Sequence, residues 1–267
     1  MSFASSQQSG LHWLTSSLLT DTVHAFSTRK GGVSAPPWDS LNLGVGRGDS
    51  ENAVLENYRR FCSAIGLTVE NTVLSKQIHE TTVRICSSSD AGKGLFIPRD
   101  YTADALITNE PDLPLVVFSA DCGIILLYDP IQKVIGAVHA GWRGCAAGIL
   151  EKAVHAMITT YGSRSEDILA AIGPSIGPCC FETDDDVPSA MRAALGADAE
   201  LYCTKQEPKW HVDLAGLNRQ WLLRAGLLPD HIDSCGLCTA CHPELFWSHR
   251  KMGNSRGAQI AVISLRR

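Results

Sequence analysis

The sequence predicts an α+β fold, with central mixed β-sheets flanked by helices. Short apolar runs rich in Val and Ile recur between residues 73 and 138, as expected for strands that are buried on both faces. Other segments place apolar residues three and four apart, and strands and helices do not alternate in the strict order of a βαβ protein. No repeat or linker divides the chain, so we expect one domain over residues 1–267, with roughly the first 20 residues peripheral.

The first predicted elements in chain order are a loop, a helix and a series of strands. Lys30 to Ser50 is rich in Gly, Pro, Asp and Asn and predicts a long functional or packed loop, and a helix follows from about Glu51 to Ile65. The predicted strands are Val73–Leu74, Thr81–Ile85, Ala105–Thr108, Leu115–Phe118, Ile124–Tyr128 and Val134–Val138.

The period of the apolar residues changes after Gly144. A helix is predicted up to Tyr161, and Gly162 is placed to end it. A second helix is expected over Leu214–Ala225, closed by Gly226. Further strands are predicted at Ile168–Ile172 and Gln259–Leu265.

Composition excludes several classes of protein. The formal net charge is −5, with 23 basic and 28 acidic side chains, so the chain lacks the basic stripe of a nucleic-acid-binding protein. The N-terminus has no basic residue before a short, interrupted apolar stretch, and no run reaches the roughly 18–20 apolar residues of a membrane span. We therefore expect a soluble cytoplasmic protein whose ten cysteines are reduced and mostly buried.

Three polar segments interrupt or follow the predicted strands, and each contains a residue that can bind a metal. His79, Cys122 and His139 would supply two imidazoles and one thiolate, a donor set that suits Zn²⁺ with three protein ligands and makes Mg²⁺ or Ca²⁺ improbable. Ordinary hydrogen-bonded histidines and a buried cysteine would give the same pattern. The nine histidines contain no His-x-His pair, which argues against a multicopper cluster of the usual ligand pattern.

A second cysteine pattern is the C-x-x-C pair of Cys238 and Cys241, which lies beside Cys235. Such a pair is compatible with packing, metal binding or redox chemistry. The chain has no second C-x-x-C pair to complete a Cys₄ site, since Cys179 and Cys180 are adjacent. The sequence leaves open whether these cysteines hold a second metal.

Several arginines are candidates for binding an anion. Arg29 and Lys30 precede two glycines, and Arg143 stands just before a predicted helix, whose first amides also favour phosphate. Arg250 follows Ser248 and His249 in a further cluster. Each of these arginines could equally be a surface or ion-pair residue.

The order of the motifs resembles that of the YfiH-type laccase-domain family, also called the polyphenol oxidase family. The resemblance runs from about Phe26 to Leu265. It rests on the segments Thr28-Arg29-Lys30-Gly31-Gly32-Val33-Ser34, Leu41-Asn42-Leu43-Gly44, Gln77-Ile78-His79, Ala120-Asp121-Cys122, His139-Ala140-Gly141-Trp142-Arg143-Gly144, Ile172-Gly173-Pro174-Ser175-Ile176-Gly177 and Phe246-Trp247-Ser248-His249-Arg250.

This resemblance implies a purine nucleoside phosphorylase with a catalytic zinc on His79, Cys122 and His139. It implies phosphorolysis of adenosine, inosine, guanosine and methylthioadenosine, and deamination of adenosine. The chain departs from the family pattern at Glu80, where Gly is usual, and at Trp247, where Phe is common.

The roles of the remaining site residues are hypotheses. Arg29, Arg143 and Arg250 are the candidates for phosphate, and Asn42 is a further candidate for substrate binding. Deamination requires a carboxylate beside the metal, and Asp121 or Glu80 would supply it because the usual H-x-E and P-C-x-x-C signature is absent.

Two other classes of function stay open. A hydrolase could use Cys122 as the nucleophile and His139 as the base on an amide substrate. A zinc-stabilised binding module without turnover is the other. The expected partners are small molecules, without nucleic acid or membrane, and the chain is expected to be a monomer or a homodimer.

Overall fold

The computed structural model describes residues 3–266, which form α-helices, strands and short 3₁₀ turns. The strands are β1 (Phe3–Gln8), β2 (Leu11–Ser16), β3 (Thr22–Ser27), β4 (Val73–Leu74), β5 (Val83–Ile85), β6 (Ala105–Thr108), β7 (Leu115–Ser119), β8 (Gly123–Asp129), β9 (Val134–Ala140), β10 (Leu169–Ile172), β11 (Glu182–Thr183), β12 (Cys203–Gln206), β13 (Lys209–Val212), β14 (Ile232–Ser234) and β15 (Gln259–Leu265). The α-helices are α1 (Glu51–Ile65), α2 (Trp142–Ala146), α3 (Ile149–Tyr161), α4 (Asp186–Leu195), α5 (Leu214–Arg224) and α6 (His249–Met252).

Two six-stranded sheets and one smaller sheet organise these strands. The first sheet has the order β1-β2-β3-β15-β7-β4, and the second has the order β14-β10-β8-β9-β6-β5. Both are mixed: β4 runs parallel to β7 in the first, and β5 to β6 and β10 to β14 in the second. The small sheet, β11-β13-β12, is antiparallel.

The two large sheets pack face to face. Their inner faces share one buried cluster, in which Val117 and Ile263 of the first sheet lie with Leu126 and Ala137 of the second. Successive side chains of a strand point to opposite faces, so the apolar side chains on the outer faces must be buried by other elements. The helices supply that cover.

Helices lie on the two outer faces. Helix α1 packs Tyr58 and Phe61 on the first sheet, while α3 and α5 pack on the second sheet against residues such as Ile125 and Val138. Helix α4 adds apolar side chains to the same buried cluster. The result is a helix–sheet–sheet–helix sandwich. Every residue of β8, β9 and β15 is buried, because each of these strands has protein on both faces.

The predicted α+β class with mixed sheets and outer helices is confirmed. Helix α1 has the predicted bounds, α3 ends at Gly162 with a left-handed φ of 74°, and the predicted strands at 73–74, 105–108 and 259–265 are reproduced. Residues 30–50 form the predicted loop without helix or strand. The sequence did not predict β1 to β3, the helices α2, α4 and α6, the small sheet or β14.

Within residues 3–266, we find no helix that combines the length and apolar character needed to cross a membrane.

Candidate active site

The chain passes between the two large sheets at one end of the sandwich, and polar residues collect there. The loop from β4 to β5 carries His79, the turn from β7 to β8 carries Cys122, and His139 lies near the end of β9. In each of the two connections the chain leaves one sheet and enters the other. The side-chain donor atoms of these three residues lie within 4.8 Å of one another.

The geometry of the three donors is fixed by the backbone and by close packing. The Sγ of Cys122 lies 3.9 Å from Nε2 of His79, and the rings of His79 and His139 are nearly perpendicular, with centroids 4.9 Å apart. Both His79 and Asp121, which precedes Cys122, have a positive φ. His139 is buried and His79 is exposed, so the group faces solvent on one side.

Asp104 orients two of the three donors. Its Oδ1 accepts hydrogen bonds from Nδ1 of His139 at 2.8 Å and from the backbone N–H of His79 at 3.0 Å. Its Oδ2 accepts the N–H groups of Ile78 and Glu80, each at 3.1 Å. Burial opposes ionisation of this carboxyl, but the hydrogen bonds from His139 and the backbone outweigh burial and lower its pKa.

Charge is shared between Cys122 and His139. Burial opposes the thiolate, but the imidazoles of His139 and His79 prevail and lower the pKa of Cys122 to about 6. Burial likewise opposes the imidazolium of His139, while the Cys122 thiolate and Asp104 raise its pKa to about 9. These two groups titrate as a pair. The lowered pKa of Cys122 and the raised pKa of His139 both favour the thiolate–imidazolium pair when no metal is bound.

The donor set fits a zinc ion. Nδ1 of His139 is taken by Asp104, which leaves Nε2 to face Cys122 and His79. A carboxylate behind a ligand histidine is the usual support of a zinc site. Three protein ligands with one open side is the pattern of catalytic zinc, and the thiolate excludes the oxygen-preferring Mg²⁺ and Ca²⁺.

A cavity of about 450 Å³ opens in front of these donors. This volume is within the ~300–1,000 Å³ that is typical of small-molecule sites. Apolar residues from five segments of the chain form one wall of the cavity. They are Phe118, Trp142, Ile176 and Phe181 of one loop, Leu214 and Ala258.

Four arginines line the same cavity: Arg47, Arg143, Arg250 and Arg256. The guanidinium of Arg143 stacks on Trp142 at 4.2 Å and forms no ion pair with the described residues. Nε of the half-buried Arg256 has no hydrogen-bond partner within residues 3–266. Burial, and then the neighbouring charge of Arg47, lower the pKa of Arg256. The cavity therefore combines a metal-competent group with four arginines and an excess of positive charge.

Asp121 is the carboxylate on the cavity wall. Its Oδ1 accepts the hydroxyl of Thr239 at 2.6 Å, and its Oδ2 accepts the backbone N–H of Arg250 at 2.7 Å. The guanidinium of Arg250 donates to the carbonyl oxygens of Cys180 and Glu182. These contacts tie the turn that carries Cys122 to the loops on either side of the cavity.

The structure places three sequence candidates outside the cavity lining. Arg29 stacks on Trp247 at 3.9 Å and donates to the carbonyl oxygens of Asp39 and Pro243. Asn42 is fully buried and fixes two loops by accepting the N–H groups of Gly44 and Ala258. Glu80 is exposed and its side chain does not line the cavity.

Sequence reasoning missed three residues of the site: Asp104, Arg47 and Arg256. Asp104 directly precedes an apolar strand, a position where polar residues often end a loop, so no local pattern marks it as a site residue. Arg47 stands in the glycine-rich part of the long predicted loop, where no neighbouring cation or strand end marks it as an anion ligand. The available signal for both cations was an arginine beside a glycine just before a predicted element, a helix after Arg47 and a strand after Arg256.

Comparisons with known proteins agree with this architecture. Residues 23–266 match the family described as "Multi-copper polyphenol oxidoreductase laccase". The Bacillus subtilis protein named purine nucleoside phosphorylase YlmD is 33% identical over 252 residues, 92% of this chain and 89% of that protein. The crystal structure of the Bacillus licheniformis hypothetical protein YfiH superposes with a TM-score of 0.92 at 31% identity, covering 97% of this chain and 98% of that one.

A human relative extends well beyond the matched region. The Homo sapiens protein named purine nucleoside phosphorylase LACC1 is 35% identical over 261 residues, which make up 95% of this chain. The match spans only 58% of the length of that human protein.

Proposed function

Since the chain belongs to the family described as multi-copper polyphenol oxidoreductase laccase, whose relatives are named purine nucleoside phosphorylases, we propose that it is a zinc-dependent purine nucleoside phosphorylase. The observation that carries this proposal is one cavity that holds both a His-His-Cys group and four arginines. The proposed substrates are adenosine, inosine, guanosine and methylthioadenosine, each with inorganic phosphate. The products are the free base and ribose 1-phosphate or its methylthio analogue.

Phosphate binding is assigned to the arginines of the cavity. Arg143 and Arg256 have donors that no described acceptor occupies, and Arg47 adds a neighbouring charge. Guanidinium groups bind phosphate oxygens through paired, charge-assisted hydrogen bonds. The guanidinium of Arg250 donates two hydrogen bonds to backbone carbonyls. These bonds hold it in place at the phosphate site and leave fewer of its donors for phosphate. Arg29 lies outside the cavity and has no part in this proposal.

The nucleoside is assigned to the apolar wall. Phe118, Trp142 and Phe181 offer flat surfaces for a purine on the sides of the cavity. This arrangement holds the base beside the phosphate, whose oxygen attacks C1′ as the bond from C1′ to the base nitrogen breaks. The departing base gains negative charge, which the surrounding cations stabilise.

Zinc is proposed to be held by His79, Cys122 and His139, and when bound it supplies a Lewis acid that polarises a substrate atom. Asp104 keeps the His139 ring in the tautomer whose Nε2 faces the metal. Multi-copper chemistry is not part of the proposal. Within residues 3–266, the metal-competent groups are this one and a cluster of four cysteines, and neither contains a His-x-His pair of the kind that builds a multicopper cluster.

Deamination of adenosine is proposed as a second activity of the same cavity. Asp121 is its carboxylate, and both of its oxygens accept hydrogen bonds, which hold it in place as an acceptor. Glu80, the other candidate carboxylate, is exposed and does not line the cavity. We therefore assign proton handling at the amino group of adenosine to Asp121.

The test is turnover of adenosine with and without phosphate, followed by chromatography of the products. Adenine and ribose 1-phosphate are expected only when phosphate is present, and inosine is expected in either condition. Adenine formed equally without phosphate would contradict the proposal. So would a lack of turnover when inosine, guanosine and methylthioadenosine are assayed beside adenosine. His79→Ala is expected to abolish turnover, whereas the control His155→Ala, an exposed histidine on α3, is expected to retain it.

One observation favours a second candidate, a cysteine-dependent amide hydrolase. Asp104, His139 and Cys122 are arranged as acid, base and nucleophile, and the pKa of the Cys122 thiol is lowered to about 6. The two candidates differ in what inhibits them. Alkylation of Cys122 that abolishes amide hydrolysis in chelator-treated protein supports the hydrolase, while loss of nucleoside turnover on chelation and its return with Zn²⁺ supports the phosphorylase.

A further inference from the structure

A second group of metal-competent side chains lies beside the cavity. The Sγ atoms of Cys179, Cys180, Cys238 and Cys241 all lie within 4.8 Å of one another. Cys179 and Cys180 follow β10 in a tight turn, and Cys238 and Cys241 follow β14, which is the parallel neighbour of β10. The adjacent pair and the C-x-x-C pair therefore meet, which the sequence alone did not indicate.

The spacing of the sulfur atoms fits ligands that share one ion. The Sγ of Cys241 lies 3.4 Å from that of Cys179 and 3.5 Å from that of Cys180. Four thiolates around a tetrahedral zinc at about 2.3 Å stand about 3.8 Å apart. None of the four cysteines is in a disulfide. Thiolates this close repel one another unless a cation lies between them.

The backbone around the cluster is built to receive sulfur ligands. The N–H of Gly177 donates to the Sγ of Cys238 at 3.2 Å, and a bond from the N–H of Thr239 to the carbonyl of Ser175 joins the two loops. A Cβ at Gly177 would lie 3.2 Å from Cβ of Cys238 and 3.5 Å from Sγ of Cys179. Glycine at this position lets the two loops approach closely enough for their cysteines to meet.

We propose that Cys179, Cys180, Cys238 and Cys241 bind a structural Zn²⁺ that is separate from the metal of the active site. Four thiolates complete the tetrahedral shell, so this ion has no open position for substrate, and its role is to hold the two loops together. Cys179 and Cys241 are exposed, which gives the ion a route from solvent.

The site supports the wall of the cavity. Thr239, inside the C-x-x-C loop, donates its hydroxyl to Asp121 at 2.6 Å. The carbonyl of Cys180 accepts from the guanidinium of Arg250 at 2.8 Å. Zinc at the four cysteines therefore fixes the positions of two cavity residues without touching substrate.

The experiment measures zinc per chain in protein purified with a reductant and without added chelator. His79→Ala removes a ligand of the active-site metal, and in this background the structural site is expected to retain one zinc per chain. Adding Cys238→Ser and Cys241→Ser is expected to remove that zinc. Adding Cys235→Ser, a neighbouring cysteine outside the cluster, is expected to leave it in place.

X-ray absorption at the zinc edge of the His79→Ala protein keeps the test decisive if the double serine variant fails to fold. Four sulfur neighbours at about 2.3 Å are expected. The proposal is overturned by a shell that contains nitrogen or oxygen ligands, by iron in place of zinc, or by a disulfide within the cluster in the non-reduced mass spectrum of the purified protein. Equal zinc in the serine variant and in the Cys235→Ser control would overturn it as well. None of these outcomes depends on turnover, so the proposed enzyme activity is tested separately.

Discussion

Nδ1 of His139 lies 2.8 Å from Oδ1 of Asp104, and the same carboxylate accepts three consecutive backbone N–H groups from Ile78 to Glu80. One buried side chain thus fixes the ring of one proposed zinc ligand and the backbone of another. His79 has a φ of 64°, a conformation that a non-glycine residue adopts at a cost, and the hydrogen bonds to Asp104 stabilise it. The proposed zinc site therefore depends on a residue that would not itself bind the metal.

Asp104→Asn is expected to weaken zinc binding by roughly 10- to 100-fold, because an amide is a poorer acceptor for the His139 N–H and for the three backbone N–H groups. Turnover of nucleoside should fall with the metal content and recover in part when zinc is added in excess. The measurement is zinc affinity by competition with a chromogenic chelator, together with the metal dependence of kcat.

A matched control is Asp129→Asn. Asp129 is also fully buried and also accepts two backbone N–H groups, from Ile131 and Gln132, but it lies at the far end of β8. This change should lower stability without changing zinc affinity. If both variants lose zinc affinity equally, Asp104 acts through general stability and its proposed role is wrong.

Gly141 packs directly against the metal-competent group. Its φ of −64° is open to any residue, so the glycine is not needed for backbone freedom. A Cβ at this position would lie 2.9 Å from Sγ of Cys122 and 3.1 Å from Cδ2 of His79. Gly141→Ala is therefore expected to move these two side chains apart and to reduce zinc affinity at least about 10-fold, the lower end of the effect of disturbing a ligand's support.

The measurement for Gly141→Ala is zinc content after dialysis, with thermal unfolding as a check on the fold. A useful comparison is Gly66→Ala, because Gly66 has a φ of 76° and open space around its missing Cβ. That change should cost stability through backbone strain and leave zinc binding intact. Full zinc content in Gly141→Ala would show that the site can absorb the added methyl group.

The core of the fold could be predicted because its strands are buried on both faces and carry little but apolar side chains. Short apolar segments such as Ile124–Tyr128 and Gln259–Leu265 therefore predict buried strands, and the structure contains strands there. The missed strands are of a different kind. β1 is largely exposed and polar, and it is a strand because it pairs along its whole length with β2, a tertiary cause that no local pattern shows.

The metal-competent residues could be predicted from chemistry, since His79, Cys122 and His139 interrupt or end apolar strands. Contacts between residues far apart in the chain could not be predicted in this way. Arg29 has the sequence features of an anion site, but its donors are satisfied by the backbone of Asp39 and Pro243. The meeting of Cys179 and Cys180 with Cys238 and Cys241 likewise requires β10 and β14 to be neighbours.

Arg256→Met is expected to raise the KM for phosphate by roughly 10- to 100-fold, which corresponds to about 1.5–3 kcal/mol for a lost hydrogen bond to a charged group. The KM for the nucleoside should change much less. Arg47 and Arg256 repel each other across the cavity, so phosphate is also expected to raise the Tm of the wild-type protein and to have a smaller effect on the variant. Steady-state kinetics at varied phosphate and thermal unfolding with phosphate or chloride make the two measurements.

Arg59→Met is the control for that series, because Arg59 is an exposed residue of α1 outside the cavity lining. It should leave both the phosphate KM and the stabilisation by phosphate unchanged. An Arg256→Met protein with a normal KM for phosphate and a raised KM for nucleoside would move the phosphate site away from this residue.

The stability of the fold is expected to fall as the pH falls from about 6.5 to about 4, through His24. Burial lowers the pKa of His24 to about 4, its Nε2 accepts the backbone N–H of Ser16 at 2.9 Å, and Arg266 adds a repelling charge. The unfolded chain therefore binds the proton at a higher pH than the native state does. The free energy of unfolding is expected to fall by about 2 kcal/mol by pH 5, and by about 3 kcal/mol once both states are protonated.

Other groups also titrate in this range, so the test compares the pH dependence of urea unfolding in the wild type with that of His24→Gln, whose amide oxygen can still accept the Ser16 N–H. The variant should lose about 2 kcal/mol less than the wild type between pH 7.5 and pH 5. His155→Gln, at an exposed position, should follow the wild type, and parallel curves for His24→Gln and the wild type would show that His24 is not the cause.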